Sequence, residues 1–329
     1  MTTLVTGATG FVGAAVVRAL LAEGRRVRVT ARPSSDLRNL EGLDVERVTA
    51  DLTDAASLID AVRGCSSVFH VAADYRLWIP EPEEIYRTNV EGTRLLLRAA
   101  HAEGVDRIVY TSSVATLGIP SGGVPGDERT PVTLDDMIGH YKRSKYLAER
   151  AAVEIATQDG APVVIVNPST PVGPRDIRPT PTGKVIVDAA TGRMPAYVDT
   201  GLNIVHVDDV ARGHLLAERH GAIGETYVLG GDDMSLIDII SVVAALRGRT
   251  PPTLRLPHIV PTLAAYVTEA AAHLVGFTPT LTVESARMAR KLMYFSSAKA
   301  REALGYIPRP AQEALSDAVT WFEQHGYLA

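Results

Sequence analysis

Between Leu4 and Val166, apolar runs of strand length alternate with runs of helical period, and that alternation leaves few folds open. Leu4-Val5 reads as a short buried strand, followed by a helix from about Phe11 to near Gly24. Strands are expected again at Arg26–Thr30, Val45–Ala50, Ser67–Val71, Arg107–Thr111 and Pro162–Val166. Helical stretches at Ala55–Arg63, Thr88–Ala102 and Tyr141–Thr157 separate them. Strands that alternate with helices run parallel, because each right-handed crossover lays a helix on a face of the sheet. The expected fold class is therefore α/β, a doubly wound parallel sheet.

After Asn167 the rhythm changes. Five prolines between Pro168 and Gly183 favour an irregular loop. Beyond it a helix (Val185–Thr191), a strand (Asn203–Val207), a helix (Asp208–Arg219) and a helix-rich tail are expected. The strand at Asn203–Val207 looks like one more member of the sheet. The expected organisation is thus a Rossmann dinucleotide-binding domain over 1–167, rejoined by 203–219. A smaller, mainly substrate-binding part occupies 168–329. No repeat of 20–50 residues is found.

Composition narrows the function. The 329 residues are 46% hydrophobic and 22% charged, which is enough apolar surface for a core. A net charge of −5 without a basic run argues against nucleic acid. A single cysteine, Cys65, excludes an internal disulfide framework and suits a reducing cytoplasm. The first residues run into a strand without a basic region or apolar run before a cleavage site, so a cytoplasmic location is expected. The most membrane-like stretch, His258–Gly276, is interrupted by Pro261, Glu269 and His273. It falls short of about 20 continuous apolar residues and reads as a buried or interfacial helix, so no membrane insertion is expected.

Thr6-Gly7-Ala8-Thr9-Gly10-Phe11-Val12-Gly13 sits between the first strand and the first helix. Gly7 permits the tight turn, Gly10 lets a pyrophosphate approach the backbone, and Gly13 allows close helix–sheet packing. The free N–H groups and positive dipole end of the helix suit the phosphates. At the end of the second strand an acidic residue would favour NAD, whereas an arginine can hold a 2′-phosphate. The chain has Arg32 there and no acid before Asp36, so NADP(H) is expected over NAD(H).

Tyr141 and Lys145 are four residues apart in a helical stretch and share a face. A tyrosine with pKa ~10 transfers protons poorly near neutrality, and an adjacent ammonium favours its phenolate. Bringing it to about 7 needs roughly 4 kcal/mol, which one lysine and a positive nicotinamide could supply in a dry site. The bland alternative is a surface tyrosine with Lys145 paired to Glu149 one turn on. Thr111-Ser112-Ser113 ends the preceding strand at the carboxyl edge, where ligands of open parallel sheets bind. Asn89, a poor helix former inside a helix, hints at a specific polar task.

Taken together, these features resemble the extended short-chain dehydrogenase/reductases. The glycine turn, Asp51-Leu52, His70-Val71-Ala72-Ala73, Asn89-Val90-Glu91-Gly92-Thr93, Thr111-Ser112-Ser113, Tyr141-Lys142-Arg143-Ser144-Lys145 and His206-Val207-Asp208-Asp209-Val210-Ala211 all match. The resemblance implies a catalytic set of Ser113, Tyr141 and Lys145, with Asn89 supporting the lysine through water. Ser113 is preferred to Ser112 because the family's serine stands five residues before Gly118. The cofactor residues implied are Gly7, Thr9, Gly10, Phe11, Val12, Gly13, Arg32, Asp51, Leu52, Val71, Ala72, Ala73, Asn89, Thr111, Tyr141, Lys145 and Pro168. A finer similarity, to hopanoid-associated sugar epimerases and dihydroflavonol 4-reductase, rests on the segments 176–183, 192–195 and 299–306. Family habits also allow a homodimer.

Other chemistries fail early. The chain has no G-x-S-x-G, Walker P-loop or H-E-x-x-H motif. His206, Asp208 and Asp209 could suggest a metal, but a strand-end His before an Asp that caps the next helix is simpler, so no metal is expected. The expected reaction is reversible hydride transfer to a carbonyl, with Tyr141 donating the proton, Lys145 lowering its pKa and holding the ribose, and Ser113 polarising the carbonyl. The alternative is a nucleotide-sugar epimerase or dehydratase with tightly held NAD, for which Arg175, Arg178, Lys184 and Arg193 could meet a diphosphate. A reductase of apolar ketones would instead need a lid, for which Tyr75, Leu77, Trp78, Ile79 and the Ile259–Val275 helix are available. A non-catalytic dinucleotide sensor is the distant third reading.

Overall fold

The computed structural model describes every residue except Met1, Leu77, Pro80, Thr278 and Thr280. Leu77, expected in a lid, therefore lies outside the described residues. The first half runs β1 (Thr2–Thr6), α1 (Phe11–Ala22), β2 (Arg26–Ala31), β3 (Glu46–Thr49), α2 (Ala55–Val62), β4 (Cys65–His70), α3 (Pro82–Tyr86), α4 (Gly92–Ala102), β5 (Arg107–Thr111), α5 (Gly139–Gln158) and β6 (Val163–Pro168). Then come β7 (Thr170–Val172), α6 (Pro181–Thr191), β8 (Ala196–Tyr197), β9 (Gly201–His206), α7 (Val207–His220), β10 (Thr226–Leu229), β11 (Asp232–Ser235), α8 (Leu236–Leu246) and β12 (Leu254–Arg255). The chain closes with α9 (Ile259–Val275), α10 (Val283–Met288), β13 (Leu292–Met293), α11 (Ala298–Leu304) and α12 (Ala311–Gln324).

The main sheet has seven parallel strands in the order β10-β6-β5-β4-β1-β2-β3. Successive side chains of a strand point to opposite faces, so each buried strand feeds two cores. Val5 packs with Val16 and Leu20 of α1 and with Val210 and Leu215 of α7. Its neighbour Leu4 packs with Leu58 of α2, Leu96 and Leu97 of α4, and Ala152 and Ile155 of α5. The strand order reverses between β1 and β4. That places the glycine turn and the end of β4 side by side at the carboxyl edge, the binding crevice of open α/β sheets.

One expectation about the sheet is corrected here. The strand expected at Asn203–Val207 forms as β9 but does not join the main sheet. It pairs antiparallel with β11, while β7 and β13 share its other edge. The seventh strand of the main sheet is β10, which runs parallel to β6. The following helix, α7, does pack on the main sheet, against α1. The second sheet has its own core, in which Val172 and Ile204 meet Ile186 of α6, Ile239 and Val243 of α8, and Leu315 and Phe322 of α12.

The helix expected at Thr88–Ala102 is longer and interrupted: α3 and α4 are joined by a π-helical turn over Arg87–Glu91. The helix expected to be buried or interfacial over His258–Gly276 is α9, and burial is not its fate. Its alanines 265 and 272 face inward, while Ile259, Val260, Leu263, Tyr266 and Val267 are exposed. Among the described residues no helix is long and apolar enough to cross a membrane.

Candidate active site

The glycine turn is dictated by contacts. Gly7 has φ +69°, and a Cβ there would come within 2.6 Å of the Ala72 nitrogen. A Cβ on Gly13 would stand 2.1 Å from the Gly7 carbonyl oxygen. Gly10 donates to that same carbonyl at 3.0 Å and precedes α1 without a capping side chain. The first turn, which contains Phe11 and Val12, carries no acidic residue. An uncapped helix N-terminus beside glycines whose Cβ positions are already filled by backbone is a cradle fitted to a pyrophosphate. The Asn39 amide donates to the Thr9 carbonyl at 3.3 Å and pins the turn.

The segment after β4 closes the other side. The Thr6 hydroxyl accepts from the Ala72 N–H at 3.2 Å and is hydrogen-bonded to His70 Nδ1 at 2.9 Å. His70 Nε2 lies 3.0 Å from the Thr93 hydroxyl, and burial draws its pKa down to about 3. This neutral relay ties β1, β4 and α4 beneath Val71-Ala72-Ala73. Asn89 lies in the π turn, where its amide donates to the Asp74 carbonyl (2.8 Å) and to the Ser144 hydroxyl (3.0 Å). Its Oδ1 accepts from the Asp74 N–H at 2.7 Å. Asn89 thus clamps the loop to α5 through its bonds to Asp74 and Ser144.

At the adenosine end Arg32 is exposed, and its charge faces Asp51, whose carboxylate accepts from the Thr53 N–H and hydroxyl. Leu52 packs against Gly92, where a Cβ would meet its side chain at 2.7 Å. Asp36 is held by the Arg38 guanidinium at 2.7 Å and faces Arg178 at 3.5 Å.

The residues of the expected catalytic set meet at the ends of β5 and α5. Ser113 caps a short 3-10 turn, its Oγ accepting from the Ala115 N–H at 3.1 Å. Burial raises the Tyr141 phenol, and the Ser113 hydroxyl, hydrogen-bonded to it, draws it partly back. Ser112 is buried beside Tyr110 instead. The Lys145 ammonium donates to the Thr111 carbonyl at 2.7 Å and to the Tyr110 hydroxyl at 3.2 Å, not to Tyr141. Burial lowers its pKa to about 8. The Thr111 hydroxyl donates to His214 Nε2 at 2.8 Å, so both polar groups of that residue are engaged. Pro168 ends β6 at the same edge, and Ser169 bonds back to Leu229.

The surface pairing of Lys145 with Glu149 does not form. Both side chains are buried, and Glu149 accepts instead from Thr116 and Asn167. Glu149, Asn167, Thr116 and Tyr110 are site residues that sequence reasoning missed, because their partners come from other elements. The His206 motif is structural. The His206 ring, not an Asp, caps α7 by accepting from the Asp208 N–H at 3.0 Å. Asp209 is buried against Arg309 at 3.1 Å, and Asp208 pairs with Arg175. In the expected lid, Tyr75 is exposed beside Asp176 and Arg178, and Trp78 and Ile79 are half-buried.

Residues 3–230 match the model of the NAD dependent epimerase/dehydratase family. The chain belongs to that family. It is an NAD(P)-dependent oxidoreductase of the extended short-chain type. A Synechocystis protein provisionally named a dihydroflavonol 4-reductase is 44% identical over 328 residues, covering 98% of this chain and 95% of that one. The solved structure of gox2253 is 52% identical, with TM-score 0.90, over 100% of this chain and 99% of its own. A nucleoside-diphosphate-sugar epimerase from Pseudomonas aeruginosa is 30% identical, with TM-score 0.80, over 100% and 99% of the two chains.

Proposed function

We propose that the chain is an NADP(H)-linked carbonyl reductase of the dihydroflavonol-reductase kind. The observation that carries this reading is the fate of the cations a sugar diphosphate would need. Arg175 pairs with Asp208, Arg178 faces Asp36 at the adenosine end, and Arg193 turns back to Thr191 and Asp188. Among the described residues, Lys184 alone of the four stands exposed without such a partner. The similarity to a protein named as a reductase points the same way.

On this reading residues 1–167, together with α7, hold the cofactor, and the remainder mainly shapes the substrate site. When bound, the nicotinamide supplies the hydride chemistry. Tyr141, kept protonated through neutrality by burial, donates to the carbonyl oxygen. Ser113, whose hydroxyl faces the Tyr141 phenol, can donate to that oxygen once substrate is present. Lys145, fixed by the Thr111 carbonyl, presents a cation near the nicotinamide ribose. Asn89 acts as a positioning residue through Asp74 and Ser144.

Arg32 supports NADP(H), because Asp36, the first acid after it in the sequence, is already engaged by Arg38. Hydrogen bonds to charged groups contribute roughly 1.5–3 kcal/mol, or about 10–150-fold in affinity. Arg32→Ala should weaken NADPH by that factor in a fluorescence titration and leave NADH within about threefold. Equal losses, or a wild type that prefers NADH, overturn the NADP assignment. The full-length similarity to a nucleoside-diphosphate-sugar epimerase keeps a second reading in view. Purified protein that retains stoichiometric NAD by mass spectrometry would favour it.

A further inference from the structure

Behind the Ser113 turn, Glu149 buries its carboxylate among neutral donors. It is 5% exposed and lies one helical turn beyond Lys145 on α5. Its Oε2 accepts from the Asn167 amide at 2.8 Å and lies 2.8 Å from the Thr116 hydroxyl. The same two groups face the backbone of the serine: the Ser113 carbonyl accepts from the Asn167 amide at 3.0 Å and lies 2.8 Å from the Thr116 hydroxyl, whose single hydrogen is shared between that carbonyl and Glu149. Three segments, α5, the end of β6 and the 3-10 turn after β5, therefore meet at one carboxylate.

We infer that Glu149 is a positioning residue of the active site, fixing the Ser113 turn through Thr116 and Asn167 and supplying the negative charge that compensates the buried Lys145 ammonium. The inference rests on the proposed catalytic set. A neutral glutamine could accept the same two hydrogen bonds, so packing alone does not require a charge, and burying one is costly. The charge acts on Lys145, where it raises a pKa that burial lowers. The other groups around that ammonium cannot replace it. Tyr110 is held protonated by burial, His70 is neutral, Tyr141 is a phenol kept protonated, and Thr111 offers only its carbonyl.

The chain has five lysines, so 13C-lysine NMR can follow Lys145 through a pH titration, with Lys145→Met giving the assignment. In Glu149→Gln the Lys145 midpoint should fall by about one pH unit or more below the wild type. A folded Glu149→Gln protein with an unmoved midpoint overturns the inference. Should that variant not fold, Glu149→Asp decides, because it keeps the charge. Its Lys145 midpoint should stay within about 0.3 of the wild type, and a fall of a full unit overturns the proposal. These titrations need no substrate. Persistent turnover of Tyr141→Phe would sink the catalytic assignment while leaving the Glu149 result standing.

Discussion

At the scale of residues, Tyr141 and Lys145 share a face of α5, yet burial opposes the charged form of each. The phenol finds its partner in Ser113, and the ammonium finds the Thr111 carbonyl and the Tyr110 hydroxyl. The two side chains therefore share a face without a direct bond between them. Tyr141→Phe should leave the fold and NADPH affinity unchanged and reduce carbonyl reduction by about 10²–10⁴-fold, because only the transferable proton is removed. A variant that kept more than half the wild-type rate, with chemistry limiting, would refute the role. The residue types of this site were legible in the sequence. The hydrogen-bond donors to Glu149 were not: four-residue spacing pointed to a direct pair with Lys145, whereas two other elements supply them.

At the scale of elements, α1 is docked on its own turn by the lack of a side chain at position 13. Gly13→Ala would drive a methyl group into the Gly7 carbonyl, 2.1 Å from its oxygen, so α1 must retreat from β1. Overpacking of this kind costs about 1–3 kcal/mol. The thermal midpoint should drop, and NADPH affinity should fall further than that loss explains, since the cradle itself moves. Normal cofactor binding in a destabilised Gly13→Ala protein would contradict this account of the turn. The helix around Asn89 shows the opposite device. A π turn widens the helix where a poor helix former stands, and its amide is aimed at Asp74 and Ser144. In α9, apolar periodicity marked a face correctly but could not say whether anything covers it.

Across the whole molecule, two buried histidines tie the main sheet to its helices. His70 links β1 to α4, while His214 joins α7 to β5, accepting from Thr111 and donating to the Val210 carbonyl at 2.7 Å. Burial depresses both, to about 3 and about 4. Their folded pKa values lie below the unfolded value of ~6.5. The unfolded chain therefore takes up protons first as the pH falls, and stability present above pH ~6.5 is lost toward pH ~4. Each group contributes up to about 1.4 kcal/mol per pH unit in that window. Denaturant melts between pH 7 and 4 should show this slope, reduced in His214→Gln. A flat profile would show that neither histidine is buried neutral.

The sequence by itself determined the strand–helix alternation, the glycine turn and the Tyr141–Lys145 face, because each depends on residues a few positions apart. It also marked Asn89 as a poor helix former inside a helix, and it marked Ser113 through the family resemblance. Only the tertiary structure decided that β9 belongs to a second sheet and that β10 completes the first. A strand's own pattern says that it is buried, but its hydrogen-bond partners lie dozens of residues away. The same holds for charge. Arg175, Arg178 and Glu149 carry it visibly in the sequence, but what each charge meets is set by segments brought together across the fold.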